Sequence, residues 1–406
     1  MWLTNQVTTF LVLFTLFLSK NSYIEGQEQV KYAVKRRSHS ESLVSANNKL
    51  SFKLLNTMEN GKNIFFSPFS IHSALSMLNE GAKGVTSQEI RDVLGYDITG
   101  VNSNTTSRDF NVLLRLIESF GPEYQLQVAN ALLTQSNYPV FKEFVTKISE
   151  DFKAFVKNIN FETGEDSVRE INNWINDATG GKIKSIIKEI KEDTKALILN
   201  AVYFKGSWEN PFDEKNTENI IFYNNGINPV NSPIMIREIS KCMYTRNTEE
   251  GFHAVSLPYK GNDVEMIIIL PLPKYTINNI RLSNEKMEEI ISSMRNFKVI
   301  VKLPKFTIEY FRELKEDLIT LGMKQAFTNF ANLSGINEDK RLFVKSVLHK
   351  AVIEVNERGS VATGTTAVIV GTRISPVLFI CDHPFLFVIR DRRTRMNLFI
   401  GQINQL

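Results

Sequence analysis

The sequence is poor in cysteine. Among its 406 residues, only Cys242 and Cys381 carry a thiol. A disulfide framework therefore does not hold this fold together, whichever compartment the protein occupies. Two interpretations of the pair stay open: one bridge in a secreted chain, or two buried free thiols.

An excess of charge of one sign is almost absent. The 48 Lys and Arg residues and 44 Asp and Glu residues leave a net charge of +4 at pH 7. Because dedicated nucleic-acid binding requires a strongly basic surface, we expect no nucleic-acid partner. The few compact basic groups predict at most modest, salt-sensitive binding of glycosaminoglycans. These groups are Lys35-Arg36-Arg37 and, near the carboxyl end, Arg390, Arg392, Arg393 and Arg395.

The apolar run at the amino terminus is too short to span a membrane. Residues 10–18 are nearly all apolar, whereas a membrane-spanning helix needs about 20 such residues. A short run at this position is typical of a secretory signal peptide, although no Lys or Arg precedes it here. We therefore predict a signal peptide over residues 1–26, a polar basic tail over residues 27–42, a secreted extracellular protein and no membrane partner.

Two triplets match the acceptor for N-linked glycosylation. They begin at Asn104 and Asn332. The first lies among Asn, Ser and Thr residues, which predicts an exposed loop. Both are predicted glycosylation sites of a secreted chain.

Signatures of catalysis are missing. The sequence has no Gly-x-Ser-x-Gly elbow, no His-Glu-x-x-His, no Cys-x-x-Cys and no phosphate-binding loop. The five histidines are scattered, and none pairs with a second metal-type ligand at helical spacing. We therefore expect no enzymatic activity, no cofactor and no metal.

Helical patterns dominate the first half of the chain and strand patterns the second, which predicts an α+β fold. Residues 196–204 form an apolar run that suits a central strand buried on both faces. No internal repeat or linker interrupts residues 43–406, which favours a single domain.

Local signals predict where several helices begin and end. A helix is predicted from the cap residue Ser67 to Gly81, because proline follows the cap at the first helical position. A capping box at residues 86–89 predicts the start of the next helix, which Gly95 ends. Residues 312–321 are predicted as a further helix.

One stretch near the carboxyl end differs from an ordinary strand. Residues 360–370 are small or β-branched and carry no charge, which is typical of a strand. Either alternating face can therefore be buried without an isolated charge. A loop-type sequence follows, and Arg373 is the only charged residue between Arg358 and Asp382. The pattern indicates a segment that can enter a sheet, next to a cation that faces outward.

These residues resemble the reactive loop of the serpins, a family of suicide inhibitors of serine proteases. The strand that follows the reactive loop of serpins is similar to Asp382-His383-Pro384-Phe385 of this chain. The hinge that precedes the loop is similar to the run Glu357, Arg358, Gly359, Ser360, Val361, Ala362, Thr363 and Gly364. Further motifs extend the resemblance from about residue 43 to residue 403. They include Asn63-Ile64-Phe65-Phe66-Ser67-Pro68, Asn200-Ala201-Val202-Tyr203-Phe204 and Leu257-Pro258-Tyr259. The resemblance implies the serpin fold, with large antiparallel-rich sheets and an exposed reactive loop.

The resemblance also implies where the chain is cut. The reactive bond lies fourteen positions after the hinge glycine, between Arg373 and Ile374. The implied partners are trypsin-like serine proteases, trapped covalently by a monomeric inhibitor as its loop inserts into the central sheet. Beside that sheet the resemblance implies two side-chain groups: a polar cluster of Ser67, Ser70, Asn200 and His349, and a sheet-top cluster of Trp208, Lys305 and Glu357.

A non-inhibitory serpin acting as a carrier, storage protein or chaperone is the alternative. A loop that cannot insert typically carries a charge, a proline or a bulky residue on its inward face. Here that face begins with Ser360, Ala362 and Gly364, and no proline occurs in the loop before Pro376. Val361 stands where inhibitory serpins commonly carry Glu, but it lies on the outward face. The inward face therefore favours inhibition.

Overall fold

The computed structural model describes residues 40–58, 61–119, 123–191, 193–273, 276–339, 341–358 and 375–406. The predicted signal peptide, hinge residues 359–364 and the predicted reactive bond lie outside the described residues. Within them the helices are α1 (40–55), α2 (Pro68–Gly81), α3 (Gly84–Leu94), α4 (Tyr96–Thr99), α5 (Thr106–Glu118), α6 (Lys142–Phe152), α7 (Glu165–Ala178), α8 (Asn284–Ser293) and α9 (Lys315–Leu321).

The strands of the described residues form two sheets. They are β1 (Ile64–Phe66), β2 (Tyr124–Gln135), β3 (Phe155–Ile159), β4 (Ala196–Gly206), β5 (Glu218–Asn224), β6 (Asn228–Asn247), β7 (Phe252–Pro258), β8 (Val264–Pro271), β9 (Arg295–Pro304), β10 (Phe306–Glu313), β11 (Val344–Val355), β12 (Val377–Ile380), β13 (Phe385–Asp391) and β14 (Met396–Ile403).

The smaller sheet has the strand order β10-β11-β4-β2-β3. The larger sheet follows the order β1-β14-β13-β8-β7-β6-β9-β12, and β5 pairs with β6 beside it. Neighbouring strands are mostly antiparallel, and the parallel pairs among the described strands are β11–β4, β2–β3 and β12–β9. Helices in the first half and antiparallel-rich sheets confirm the predicted α+β class.

Helix α2 lies between the two sheets. It contacts β14 of the larger sheet and β2 and β4 of the smaller one. Most of its side chains are buried, as expected for a helix enclosed by protein on all sides. Its predicted start is confirmed, because the backbone N–H of Ser70 donates to the hydroxyl of the cap residue Ser67 at 3.1 Å.

The predicted central strand is also confirmed. Strand β4 contains the apolar run 196–204 and pairs with β11 on one edge and β2 on the other. On one face it contacts α2, and on the other Leu199 packs in a cluster with Ile175 of α7. A strand covered on both faces must be apolar on both, which explains the continuous run.

The predicted capping box at residues 86–89 is wrong. Helix α3 already begins at Gly84, although it ends at Gly95 in the left-handed conformation as predicted. The hydroxyl of Thr86 donates to Gln325 at 2.8 Å, and Glu89 accepts from the backbone N–H of the same residue at 2.6 Å. These side chains join α3 to a segment that is distant in sequence. Residues with a capping pattern therefore form a tertiary contact here instead of capping the helix.

The predicted helix at residues 312–321 begins too early. Arg312 lies in β10 opposite His349, and α9 begins only at Lys315. The Arg312 guanidinium donates two hydrogen bonds of 2.7 Å to the buried carboxylate of Asp317 in the first turn. Helix α1 begins earlier than the sequence predicted. Residues 40–42 are already helical, although the polar tail was predicted to extend to residue 42.

The two cysteines are free thiols, which excludes the bridge that the sequence left open. Both are buried, in β6 and directly after β12. Burial raises the pKa of Cys242 to about 12, and it raises the pKa of Cys381 well above its usual value. Both groups therefore stay protonated and unreactive at neutral pH.

Candidate functional site

Strands β4 and β11 lie side by side as a parallel pair in the smaller sheet. Ala196 pairs with Val344 at one end and Phe204 with Ile353 at the other. We call this contact the seam, its end at Phe204 the upper end and its end at Ala196 the lower end. The two strands pair directly along it, with one irregularity after Val344, so the seam is closed.

The residues predicted as the reactive loop connect the two sheets. Strand β11 ends at the upper end of the seam, whereas β12 lies at the edge of the larger sheet, paired with β9. The bond between Arg373 and Ile374 lies outside the described residues. Glu357 and Arg358, the first two residues of the predicted hinge, are described and are held in place.

Glu357 is buried above the upper end of the seam, with 4% of its surface exposed. One carboxylate oxygen lies 3.0 Å from the Lys305 ammonium, and the other accepts from the Thr217 hydroxyl at 2.9 Å. Burial alone raises the pKa of Glu357. Hydrogen bonds from its own backbone, Lys305 and Thr217 outweigh burial, so the pKa is lowered and the group is a carboxylate at neutral pH.

The backbone on either side of Glu357 is bonded to the segment that follows β4. The indole N–H of Trp208 donates to the Asn356 carbonyl at 2.9 Å, and the Phe212 N–H donates to the Glu357 carbonyl at 2.9 Å. Trp208 in turn stacks on Tyr259 with ring centroids 4.5 Å apart. These contacts hold the ends of β4 and β11 together, so they must break before a strand can enter the seam from above.

A row of polar side chains crosses the smaller sheet beneath α2. The strand register places Asn130 of β2, Asn200 of β4 and His349 of β11 opposite one another, and all three are buried. The Asn200 amide donates to Asn130 and to Ser70, and its oxygen is bonded to Nδ1 of His349. This last bond crosses the seam.

The bonding partners fix the proton on His349. The backbone N–H of Ser67 donates to Nε2 at 3.3 Å, so Nδ1 carries the proton and donates to Asn200. Burial lowers the pKa of His349 to about 3, which keeps the ring neutral. The predicted polar cluster of Ser67, Ser70, Asn200 and His349 is thus one hydrogen-bonded chain, and its role stays a prediction.

Sequence reasoning missed several residues of both groups. Asn130 extends the polar row and donates to the Ser73 hydroxyl at 3.3 Å. Thr217 binds Glu357, and Glu214 accepts from the Arg358 guanidinium at 2.7 Å. No local motif marks these side chains, because strand register and the path of residues 207–217 bring them to the site.

The two predicted glycosylation sites lie on the surface, whereas the predicted basic group near the carboxyl end includes one buried side chain, Arg390 of β13. Asn104 is exposed in the turn before α5, and Asn332 is exposed in a loop beside α3. The basic turn after β13 is largely neutralised, because carboxylates lie close to three of its guanidiniums. Arg390 pairs with Glu288, Arg392 lies 3.6 Å from Glu265, and Arg393 lies 3.2 Å from Asp391.

The architecture defines the class of protein. Human thyroxine-binding globulin superimposes with a TM-score of 0.84 and 26% identity, covering 90% of this chain and 99% of that one. Mouse protein-Z dependent protease inhibitor gives the same TM-score and identity, covering 91% and 99%. Both are solved serpin-type structures, and they confirm the predicted serpin fold.

The sequence comparisons identify the family. The family model described as "Serpin (serine protease inhibitor)" matches residues 45–406, so the chain belongs to the serpin family. Intracellular coagulation inhibitor 1 of Tachypleus tridentatus is 35% identical over 374 residues, which cover 90% of this chain and 89% of that protein. Iripin-1 of Ixodes ricinus is 35% identical over 380 residues, covering 91% and 96%. Serpins are in general inhibitors of proteases rather than enzymes, and some are non-inhibitory.

Proposed function

We propose that this serpin is a secreted suicide inhibitor of trypsin-like serine proteases and is cut between Arg373 and Ile374. The closed parallel seam is the observation that carries this proposal. A segment that turns back at the end of β11 runs antiparallel to both β11 and β4. Its entry replaces one parallel ladder by two antiparallel ladders, which are the more stable kind per residue.

The chemistry begins when the protease serine attacks the carbonyl carbon of Arg373. The peptide bond to Ile374 breaks, the new amine takes the proton that the serine lost, and Arg373 remains bound to the enzyme as an ester. The freed loop then enters the seam and carries the protease with it. Twelve extended residues span roughly 40 Å at about 3.3 Å per residue, which moves the enzyme across the domain before water can cleave the ester.

The target class rests on Arg373. A guanidinium fits a protease pocket floored by a carboxylate, where the pair forms two parallel hydrogen bonds. An apolar pocket would have to bury the charge without a partner. Ile374 adds a branched side chain after the bond, so enzymes that demand a small residue there react more slowly than trypsin.

The relatives support inhibition. Two proteins of Tachypleus tridentatus that match about 90% of this chain carry the name "Intracellular coagulation inhibitor". A coagulation protease or another trypsin-like enzyme is therefore the proposed partner. Secretion, glycosylation at Asn104 and Asn332, a monomeric state and at most weak glycosaminoglycan binding belong to the same proposal. Secretion rests on the amino-terminal sequence, glycosylation on the exposure of both asparagines, and weak glycosaminoglycan binding on the neutralised basic turn. The monomeric state rests on the resemblance to the serpin family.

The test is to mix the purified protein with trypsin and separate the products on a denaturing gel. We expect a complex that survives boiling in detergent, and we expect the Arg373→Ala variant to form none with trypsin. Ile374→Ala is the matched control on the other side of the bond and should still trap trypsin. If the unmodified protein is only cleaved, the carrier, storage or chaperone function replaces inhibition.

A further inference from the structure

A cavity of about 450 Å³ lies at the lower end of the seam, on the face of the smaller sheet that α7 covers. Residues 185–191 enclose it on one side. Its lining includes Leu197 of β4 and Leu348 of β11, which lie on opposite sides of the seam, and Phe311 of β10. The cavity is therefore built from both strands that must separate when a loop inserts.

The lining of the cavity is mostly apolar. Leu197 and Leu348 are buried, whereas Phe311 exposes 52% of its surface although it is a large aromatic side chain. A cavity of several hundred cubic ångströms with an apolar lining and a few polar groups has the character of a small-molecule site. A ligand that covers Phe311 removes apolar surface from water, which favours binding.

The charges around the cavity cancel. Three lysines and three glutamates line it. Lys350 pairs with Glu309, and Lys191 lies 3.4 Å from Glu313. The remaining two, Lys188 and Glu189, are neighbours in sequence and offset each other. The lining therefore has no net charge that selects an ion, while the ammonium of Lys188 can donate a hydrogen bond to a neutral acceptor.

We propose that this cavity binds a small, uncharged, mainly apolar molecule with one hydrogen-bond acceptor, and that a bound molecule opposes the last stage of loop insertion. The second part rests on the proposed function. Leu197 and Ser346 both line the cavity and are direct partners across the seam. An inserted strand separates them to two strand spacings, roughly 9–10 Å, which divides the lining. The ligand therefore binds the closed seam more tightly than the filled one and shifts the balance toward it.

A bound molecule opposes the end of loop insertion because the cavity lies at the lower end of the seam. The loop leaves β11 at the upper end of the seam, so an entering strand reaches Leu197 and Ser346 last. An occupied cavity leaves recognition and cleavage of the loop unchanged and delays arrival of the protease at the lower end. A delayed acyl-enzyme is hydrolysed, which releases active protease and cleaved inhibitor.

The binding test uses PRODAN, a neutral fluorescent naphthyl ketone, added to the full-length protein. We expect saturable binding of one molecule with a blue-shifted emission, and weaker binding of the anionic probe anilinonaphthalene sulfonate. Phe311→Ser, which removes a wall, and Ile190→Trp, which fills the cavity, should each weaken PRODAN binding by about tenfold. Phe297→Ser is the matched control, because Phe297 exposes 45% of its surface on β9 and does not line the cavity. Equal losses in the control, tighter binding of the anion, or no saturable binding would overturn the site.

The functional test measures how trypsin partitions between covalent complex and release. With PRODAN at saturation we expect a larger cleaved fraction, an unchanged rate of association, and no effect of PRODAN in Ile190→Trp. If PRODAN binds but the partition of trypsin between covalent complex and release is unchanged, the proposed coupling to loop insertion is overturned, while the proposed binding site still stands. Absence of the covalent complex without PRODAN overturns the proposed inhibition instead, and the binding result stands apart from it.

Discussion

His349 donates a hydrogen bond to Asn200 across the seam between β11 and β4, at a point where neither side chain has contact with water. The bond ties the two strands that the proposed loop insertion would separate. Because Ser67 fixes the ring from the other side, protonation of His349 would place a second N–H against a donor. The polar row is therefore a proton-sensitive link as well as a mechanical one.

The first prediction is that His349→Gln makes stability less dependent on pH on the acid side. The pKa of His349 is lowered to about 3 from an ordinary 6.5, so the unfolded chain takes up a proton below pH 6.5 while the folded chain does not. Folding stability is then lost as pH falls from 6.5 toward 3, by about 1.4 kcal/mol per pH unit. Urea unfolding at pH 7.5 and 5.0 should show about 2 kcal/mol less loss in the variant.

His383→Gln is a control of opposite sign. Burial lowers the pKa of His383, but the Asp382 carboxylate and the Pro271 carbonyl, one at each ring nitrogen, raise it above its ordinary value. This histidine stabilises the fold below pH 6.5, and that contribution is lost as pH rises through the raised pKa. His383→Gln should therefore increase the acid sensitivity. An acid loss in His349→Gln as large as in the unmodified protein would contradict the buried neutral ring.

The second prediction concerns Thr217, which sequence reasoning did not find. Thr217→Val removes the hydroxyl that donates to the buried carboxylate of Glu357, and a hydrogen bond to a charged group contributes about 1.5–3 kcal/mol. The form of the protein in which the seam of the five-stranded smaller sheet is closed should lose stability relative to the form in which the loop is inserted into that sheet. Inhibitory activity should therefore decay several-fold faster during incubation at elevated temperature.

Thr320→Val is the matched control for Thr217→Val. Thr320 is exposed on α9, and its hydroxyl bonds only to a carbonyl within its own helix. Its half-life of inhibition should equal that of the unmodified protein. Equal half-lives for both variants would show that the contacts of Glu357 do not restrain the upper end of the seam.

Local chemistry predicted those parts of the fold that depend on neighbours in sequence. The hydroxyl of Ser67 accepts from the N–H three residues later, and residues 196–204 of β4 are apolar apart from Asn200 because both faces of the strand are covered. Thr86 shows the limit, because the same local pattern serves a contact with Gln325, far away in sequence. Asn130 and Thr217 carried no signal at all, since the register of distant strands brings Asn130 to Asn200 and the path of residues 207–217 brings Thr217 to Glu357.

The third prediction tests which face of the loop is buried. Ser360→Arg places a charge in the sheet interior at a cost of several kcal/mol, so the variant should be cleaved at Arg373 without trapping trypsin. Val361→Arg places the same side chain on the outward face and should retain inhibition. The stoichiometry of inhibition distinguishes the two variants, and a reversed order would reverse the assignment of the faces.

The fourth prediction concerns polyanions. Glu288, Glu265 and Asp391 already accompany three arginines of the basic turn, so little positive potential remains for a sulfated chain. The protein should elute from immobilised heparin at or below physiological salt, where screening acts over about 8 Å. Retention well above that salt concentration would contradict this prediction and would reveal a basic surface other than this turn.

The mass of the trypsin complex and of the peptide released with it tests the central claim most directly. If Arg373 forms the ester and the loop inserts, the complex contains trypsin joined to the chain up to residue 373, and the free peptide runs from Ile374 to Leu406. A peptide with a different first residue would displace Arg373 and the trypsin-like assignment with it. Free trypsin beside two uncoupled fragments would contradict suicide inhibition.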